Sequence, residues 1–335
     1  MDPDVTIVGV MADPGIPSRI STAIDKRLAN GLRQRMGGEW EVRRSTESLP
    51  IDRDGEIPLG KQAPSLMERY GWDVVVYLSD LTHRRGGKPV LFEASDQTEA
   101  VIVFVPALGA WRQRARIVRL IQDLLAAGSA GWPPSVDDMP ASGVSGPVAH
   151  LRMLTGMVHS NRPSGMLGAL SGCTAVGLAS GAFGVFFGSV WELADALSIL
   201  RLTAISLFVV TALACWLIVR NRLWTRPSPV QSSGHALDNT STTITVWSAV
   251  ALMHLLLVVG LTVLAFVVVD AGYFASQLGH PAGTAQYVRL GWFAASVGTM
   301  AGALGSNFDS EESVREATFS KRWYERRKLF ENYDR

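Results

Sequence analysis

The stretch ITVWSAVALMHLLLVVGLTVLAFVVV, residues 244–269, decides the architecture of this chain of 335 residues. A helix needs about 20 consecutive apolar residues to cross the hydrocarbon core of a bilayer. This run exceeds that without one charged side chain. Three further apolar stretches flank it, at 166–190, 199–219 and 290–305, the last shorter and rich in Gly and Ala. Residues 166–305 therefore read as an all-α domain of four transmembrane helices in a cell (plasma) membrane, with the lipid bilayer as partner.

Loop charges orient the spans. The 191–198 loop carries Glu192 and Asp195 and no basic residue, and the 270–289 loop has Asp270, with Arg289 at its end. The 220–243 loop opens with Arg220, Arg222 and Arg226, and the tail carries Lys321, Arg322, Arg326, Arg327 and Lys328. Basic residues stay on the cytoplasmic side, so the N-terminus and the C-terminus are both expected there.

Glycines mark where helices meet. Gly165, Gly168 and Gly172 share one face of the first span, Gly177, Gly181, Gly184 and Gly188 the opposite one. Gly291, Gly298, Gly302 and Gly305 line one face of the fourth. Small residues spaced by four let backbones approach closely, within the chain or across a homo-oligomer interface. The span interiors lack Asp, Glu and Lys. His254 alone titrates near a bilayer centre, and reads as a neutral ring bonded to a carbonyl or hydroxyl. Such sparse polar lining argues against an ion pump.

Residues 1–128 read differently. Apolar runs at 5–11, 40–44, 73–78, 89–93 and 101–105 alternate with helical patterns at 17–36, 61–70 and 110–126. Buried strands separated by helices predict an α/β domain with a mainly parallel sheet, Rossmann-like or flavodoxin-like in its layering. The short link Asp96-Gln97-Thr98 makes 89–93 and 101–105 an antiparallel hairpin.

In such sheets ligands gather beyond the carboxyl ends of the parallel strands. Three loops are expected there. Asp13-Pro14-Gly15 opens a helix with Ser18 and Arg19 in its first turns; Ser79-Asp80-Leu81-Thr82-His83 leads to Arg84, Arg85 and Lys88; Gly109 precedes Arg112. Helix N-termini flanked by guanidinium groups suit a small anionic molecule, a phosphate or carboxylate, held by Gly15, Ser18, Arg19, Arg84, Arg85, Lys88, Gly109 and Arg112. Asp13, Asp80 and His83 are the candidate catalytic groups. The basic run 84–88 also fits a polar turn or a patch drawn to anionic lipid.

No glycine-rich nucleotide fingerprint, phosphate-binding loop, zinc-protease motif or nucleophile elbow occurs. No cofactor and no metal is expected. Cys173 and Cys215 lie in apolar segments and make neither a disulfide framework nor a zinc site. A net charge of +1 gives no electrostatic case for nucleic acid.

Residues 129–165 are dense in Gly, Pro and Ser and read as a flexible linker. Within it, 148–158 forms a short amphipathic helix suited to the membrane surface. The charged tail, 306–335, opens with the cap-like Asp309-Ser310-Glu311-Glu312 and continues as a helix to about Asn332. It leaves Trp323, Tyr324, Leu329 and Phe330 for the N-terminal domain, another subunit or lipid headgroups.

The segments SDLTHRRGGKPV at 79–90, VPALGA at 105–110, GALGS at 302–306 and VREA at 314–317 resemble a family of uncharacterised actinobacterial membrane proteins. The resemblance covers nearly the whole chain and implies an N-terminal cytoplasmic α/β domain on four helices. Some members carry a methylenetetrahydrofolate dehydrogenase label. That activity uses a Tyr-x-x-x-Lys helix inside its folate domain; here the spacing occurs only at Tyr324 and Lys328, in the tail. Function therefore reads first as a membrane-tethered sensor or regulatory module binding a small anion or a protein. A membrane-anchored enzyme on a phosphorylated or folate-like substrate is one alternative. An accessory subunit of a transport or envelope complex is the other.

Overall fold

The computed structural model describes residues 5–52, 55–129, 132–133, 146–225 and 235–333. The acidic start at 1–4, much of the Gly/Pro/Ser stretch and Arg226 lie outside the described residues, as does the side chain of Phe330. The chain divides into two compact units. One comprises Met1–Asn161, Pro229–Leu237 and Phe319–Arg335; the other comprises Arg162–Ser228 and Asp238–Thr318.

The first unit is the expected α/β domain. Its elements are β1 (Val5–Ala12), α1 (Ile16–Met36), β2 (Glu39–Arg44), α2 (Leu59–Tyr70) and β3 (Val74–Ser79). The small hairpin β4 (Arg84–Arg85) and β5 (Lys88–Pro89) comes next, then β6 (Phe92–Ala94), β7 (Ala100–Phe104) and α3 (Gln113–Gly128). The five-stranded sheet has the order β2-β1-β3-β7-β6. Its pairings are parallel except β6 with β7, the predicted antiparallel hairpin.

Alternation along the strands sorts side chains into two cores. Val8, Val10, Val76 and Leu78 face Ile20, Ile24 and Leu28 of α1 and Ile117, Ile121 and Leu124 of α3. Met11, Val75, Tyr77 and Ile102 face Leu59, Ala63 and Leu66 of α2. All six residues of β3 are buried, as befits a central parallel strand covered on both faces. Gly9 admits Trp72, whose ring a Cβ there would meet at 1.9 Å.

A helix from the linker stretch and one from the tail complete this unit. Helix α4 (Pro147–Asn161), expected inside a linker, packs on residues 105–108 through Gly156, where a Cβ would lie 2.0 Å from the Pro106 carbonyl oxygen. It buries Ala149, Met153 and Met157. Among the last helices, α13 (Lys321–Tyr333) follows Ser320, whose N–H donates to Asn161 Oδ1 at 3.0 Å.

The second unit is helical: α5 (Met166–Ala169), α6 (Ser171–Val185), α7 (Gly188–Ala196), α8 (Ile199–Arg220), α9 (His235–Val268), α10 (Ala271–Leu278), α11 (Thr284–Gly305) and α12 (Glu311–Thr318). Helices α8 and α9 are long and apolar enough to cross a membrane. A third candidate is the broken pair Pro147–Ala169 and Ser171–Val185, counted as one span. Among the described residues, two to three helices are thus long and apolar enough to cross. The stretch 166–190 is no single helix: it breaks at Leu170 and again at Phe187, which is extended, amid glycines that favour helix poorly. Helix α11 has 22 residues, but Arg289 and its Gly, Ser and Thr content keep it below the hydropathy of a crossing helix.

The glycine faces meet inside this unit. A Cβ at Gly298 would fall 2.2 Å from the Gly177 carbonyl oxygen, and one at Gly305 would fall 2.4 Å from that of Gly172. Gly165 and Gly168, by contrast, face open space. His254 binds two hydroxyls, Thr299 Oγ1 at 2.8 Å and Ser206 Oγ at 3.2 Å.

Candidate functional site

From β1 the chain turns to β2 on one side of the sheet, and β3 then continues toward β7 on the other. The strand order reverses between β1 and β3, which opens a crevice beyond their carboxyl ends. Asp13 follows β1, Ser79 ends β3 and Asp80 follows it. The turn out of β1 requires Gly15, at φ +108°, where a Cβ would lie 4.0 Å from Asp80 Oδ2.

Asp13 is completely buried and its carboxylate is saturated. Oδ2 accepts from Ser79 Oγ at 2.9 Å and from the Asp80 N–H at 2.8 Å. Oδ1 accepts from the Tyr77 hydroxyl at 2.6 Å and from Arg322 Nε at 2.7 Å. Arg322 belongs to α13 in the tail and is 5 % exposed. Its Nη2 donates to the Leu49 carbonyl and to the Tyr77 hydroxyl, and its Nη1 to Glu325 at 2.9 Å. The Leu49 N–H in turn donates to Tyr77 Oη at 3.2 Å.

The electrostatics follow from this packing. Burial opposes the Arg322 charge, yet Asp13, Tyr77 and Glu325 outweigh it and raise the pKa, so the guanidinium stays protonated. Burial, then Asp13, pushes the Tyr77 hydroxyl up, which keeps it a neutral donor. Asp80 is 3 % exposed, and its Oδ1 has no partner at hydrogen-bond distance. Burial pushes its carboxyl up to about 6; Ser160 restrains that rise, Asp13 adds to it, and Ser320 restrains it again.

His83, the third candidate catalytic residue, lies elsewhere. Its ring stacks on Phe104 with centroids 5.4 Å apart, and Nδ1 is 3.7 Å from Glu56 Oε1. It lines a cavity of about 380 Å³ with Lys61, Glu56, Glu93, Asp96 and Arg326. Arg326 stands one turn beyond Arg322 on α13 and donates through Nη1 to the Thr82 carbonyl at 3.4 Å. The three residues thus divide between a closed crevice and an open cavity.

The expected anion-binding residues scatter as well. Gly15 borders the crevice, while Ser18 and Arg19 are exposed on α1. Arg84, Arg85 and Lys88 build the β4–β5 hairpin, with Arg85 3.8 Å from Glu93. At Gly109 a Cβ would meet Arg152 Cγ at 2.8 Å and Arg116 Nη1 at 3.3 Å. Both arginines donate to the Leu108 carbonyl, so α4 covers this loop from within the chain. Arg112 is exposed beside it. Among the described residues no group of three or more His, Cys, Asp and Glu can hold a metal ion.

Tyr77, Leu49 and Arg322 escape sequence reasoning. Tyr77 reads as a strand residue, Leu49 acts through its backbone, and Arg322 is 309 positions from Asp13. The signal for Arg322 was the tail itself, a charged helix carrying aromatic side chains. Compared with protein-family models, curated proteins and solved structures, the chain finds no match in any of the three.

Proposed function

We propose that the protein is a membrane-tethered regulatory module whose cytoplasmic α/β domain senses a small anionic molecule and answers through its own C-terminal helix. One observation carries this reading: α13 sends Arg322 into the crevice and Arg326 to the wall of the neighbouring cavity. A molecule in the cavity would touch the same helix that the crevice holds. The cavity volume falls in the range of small-molecule sites. Lys61 and Arg326 offer it cations beside Glu56, Glu93 and Asp96, and Arg85 pairs with Glu93. In this reading α11 also crosses the membrane, giving four spans with both termini cytoplasmic, as the loop charges favour.

Catalysis is the weaker reading. A general base needs an oxygen free to take a proton, and both oxygens of Asp13 are fully engaged. Asp80 is enclosed and His83 belongs to the other site.

The test uses the full chain in detergent with a panel of nucleotides, folates, sugar phosphates and polyphosphates. Hydrogen exchange is followed over 321–333 alongside thermal melting. One compound class should raise the midpoint and alter exchange of α13; a ligand at 100 times its Kd adds about 2.7 kcal/mol. A flat panel on a cooperatively melting protein would overturn the reading.

A further inference from the structure

We propose that the crevice between β1 and β3 is a receptor for guanidinium groups, held by Arg322 in cis and open to exchange with an arginine-bearing peptide segment of a partner. This rests on the docked tail described above and specifies what competes with it.

The acceptors do not come from the tail. They are the Asp13 carboxylate, the Tyr77 hydroxyl and the Leu49 carbonyl, supplied by the end of β1, by β3 and by the segment before α2. Each is fixed independently of Arg322: Asp13 by Ser79 and the Asp80 N–H, Tyr77 by its bond to Asp13 and by the Leu49 N–H. The site is therefore preorganised and would keep its shape with the tail away. Its geometry suits a planar fork, with Nε on one acceptor and Nη2 on two others, and not a point charge such as Lys.

A second observation is independent of Arg322. Asp80, buried beside Asp13, has one carboxylate oxygen without a partner at hydrogen-bond distance. Buried polar groups are rarely left unpaired without a reason. The crevice carries more hydrogen-bonding capacity than its resident occupant uses. A peptide segment, with a guanidinium and further donors, would use it.

The experiment is chemical rescue of full-length Arg322→Ala in detergent. The probes are guanidinium chloride and N-acetylargininamide at millimolar concentration, against sodium and methylammonium chloride. The expected result is a saturable rise of several degrees in melting midpoint, absent from the Asp13→Asn/Arg322→Ala double variant. No saturable rise, or an equal rise in the double variant, overturns the proposal. Should Arg322→Ala fail to fold, the wild type serves: N-acetylargininamide should raise hydrogen exchange over 321–333 in a saturable way. Protection that never responds overturns the receptor alone. Exchange over 321–333 that is unprotected before any addition overturns the docked tail itself.

Discussion

Crevice and cavity lie in the same α/β unit, yet they handle charge in opposite ways. In the crevice Asp13 has four partners and no exposure, and its cation arrives from the far end of the chain. In the cavity the charges keep contact with solvent, and their pairs are longer, as in the 3.8 Å from Glu93 to Arg85. A closed polar site contributes to stability and to holding a helix. An open one costs little to alter and leaves room for a ligand. The difference fits the proposed division of labour, in which the crevice latches and the cavity senses.

The largest effect expected from this contrast is at Arg322. Its removal leaves Asp13 as an uncompensated buried charge, so Arg322→Ala should lose about 3–5 kcal/mol in the melting of the α/β domain. The double variant Asp13→Asn/Arg322→Met should lose much less than the two single changes combined, since it leaves neither charge alone. Additive losses would break the idea of one coupled latch.

Asp80 gives the next effect, with the opposite sign. Its folded pKa stands above the ordinary 3.8, so the folded domain binds that proton more tightly than the unfolded chain does. The stabilisation is complete below 3.8 and is lost as pH rises through about 6. At neutral pH Asp80→Asn should therefore stabilise the domain by as much as about 3 kcal/mol and flatten its stability profile between pH 4 and 7. An unchanged profile would mean that Asp80 finds a partner in solution.

Cavity variants should be milder. His83→Ala loses the ring stack with Phe104, worth about 0.5–1.5 kcal/mol, and should abolish any ligand-induced shift. Lys61→Ala should leave stability within about 0.5 kcal/mol while weakening an anionic ligand. If either change destabilised the domain as much as Arg322→Ala, the division between latch and sensor would collapse.

Much of the α/β fold was legible because buried parallel strands leave an unmistakable run of Val, Ile and Leu, as at 74–78 and 101–104. The rule that ligands meet strand ends led correctly to Asp13 and Asp80 as neighbours. It carried His83 along only because three residues of sequence look close, whereas the loop after Leu81 turns that ring onto Phe104. Helix α4 was hidden by its composition: Gly156 suggests a tether until the Pro106 carbonyl is seen against it. The tail was recognised as a helix seeking a partner, but its choice of Asp13 depends on contacts no local pattern encodes. The first and fourth apolar stretches stand out less plainly as crossing helices for a related reason. Their glycines raise the apolar count while shortening the helix, in α6, or diluting its hydropathy, in α11.

Those glycines carry a consequence for how the sequence can drift. Every single-base change at a glycine codon that alters the residue adds at least a methyl group. At Gly177, Gly298 and Gly305 that group would land within 3.0 Å of a carbonyl oxygen on the facing helix. The pairing of α6 with α11 is thus a place where the genetic code offers no conservative step, and random variation should be sparser there than at open positions such as Gly165 and Gly260.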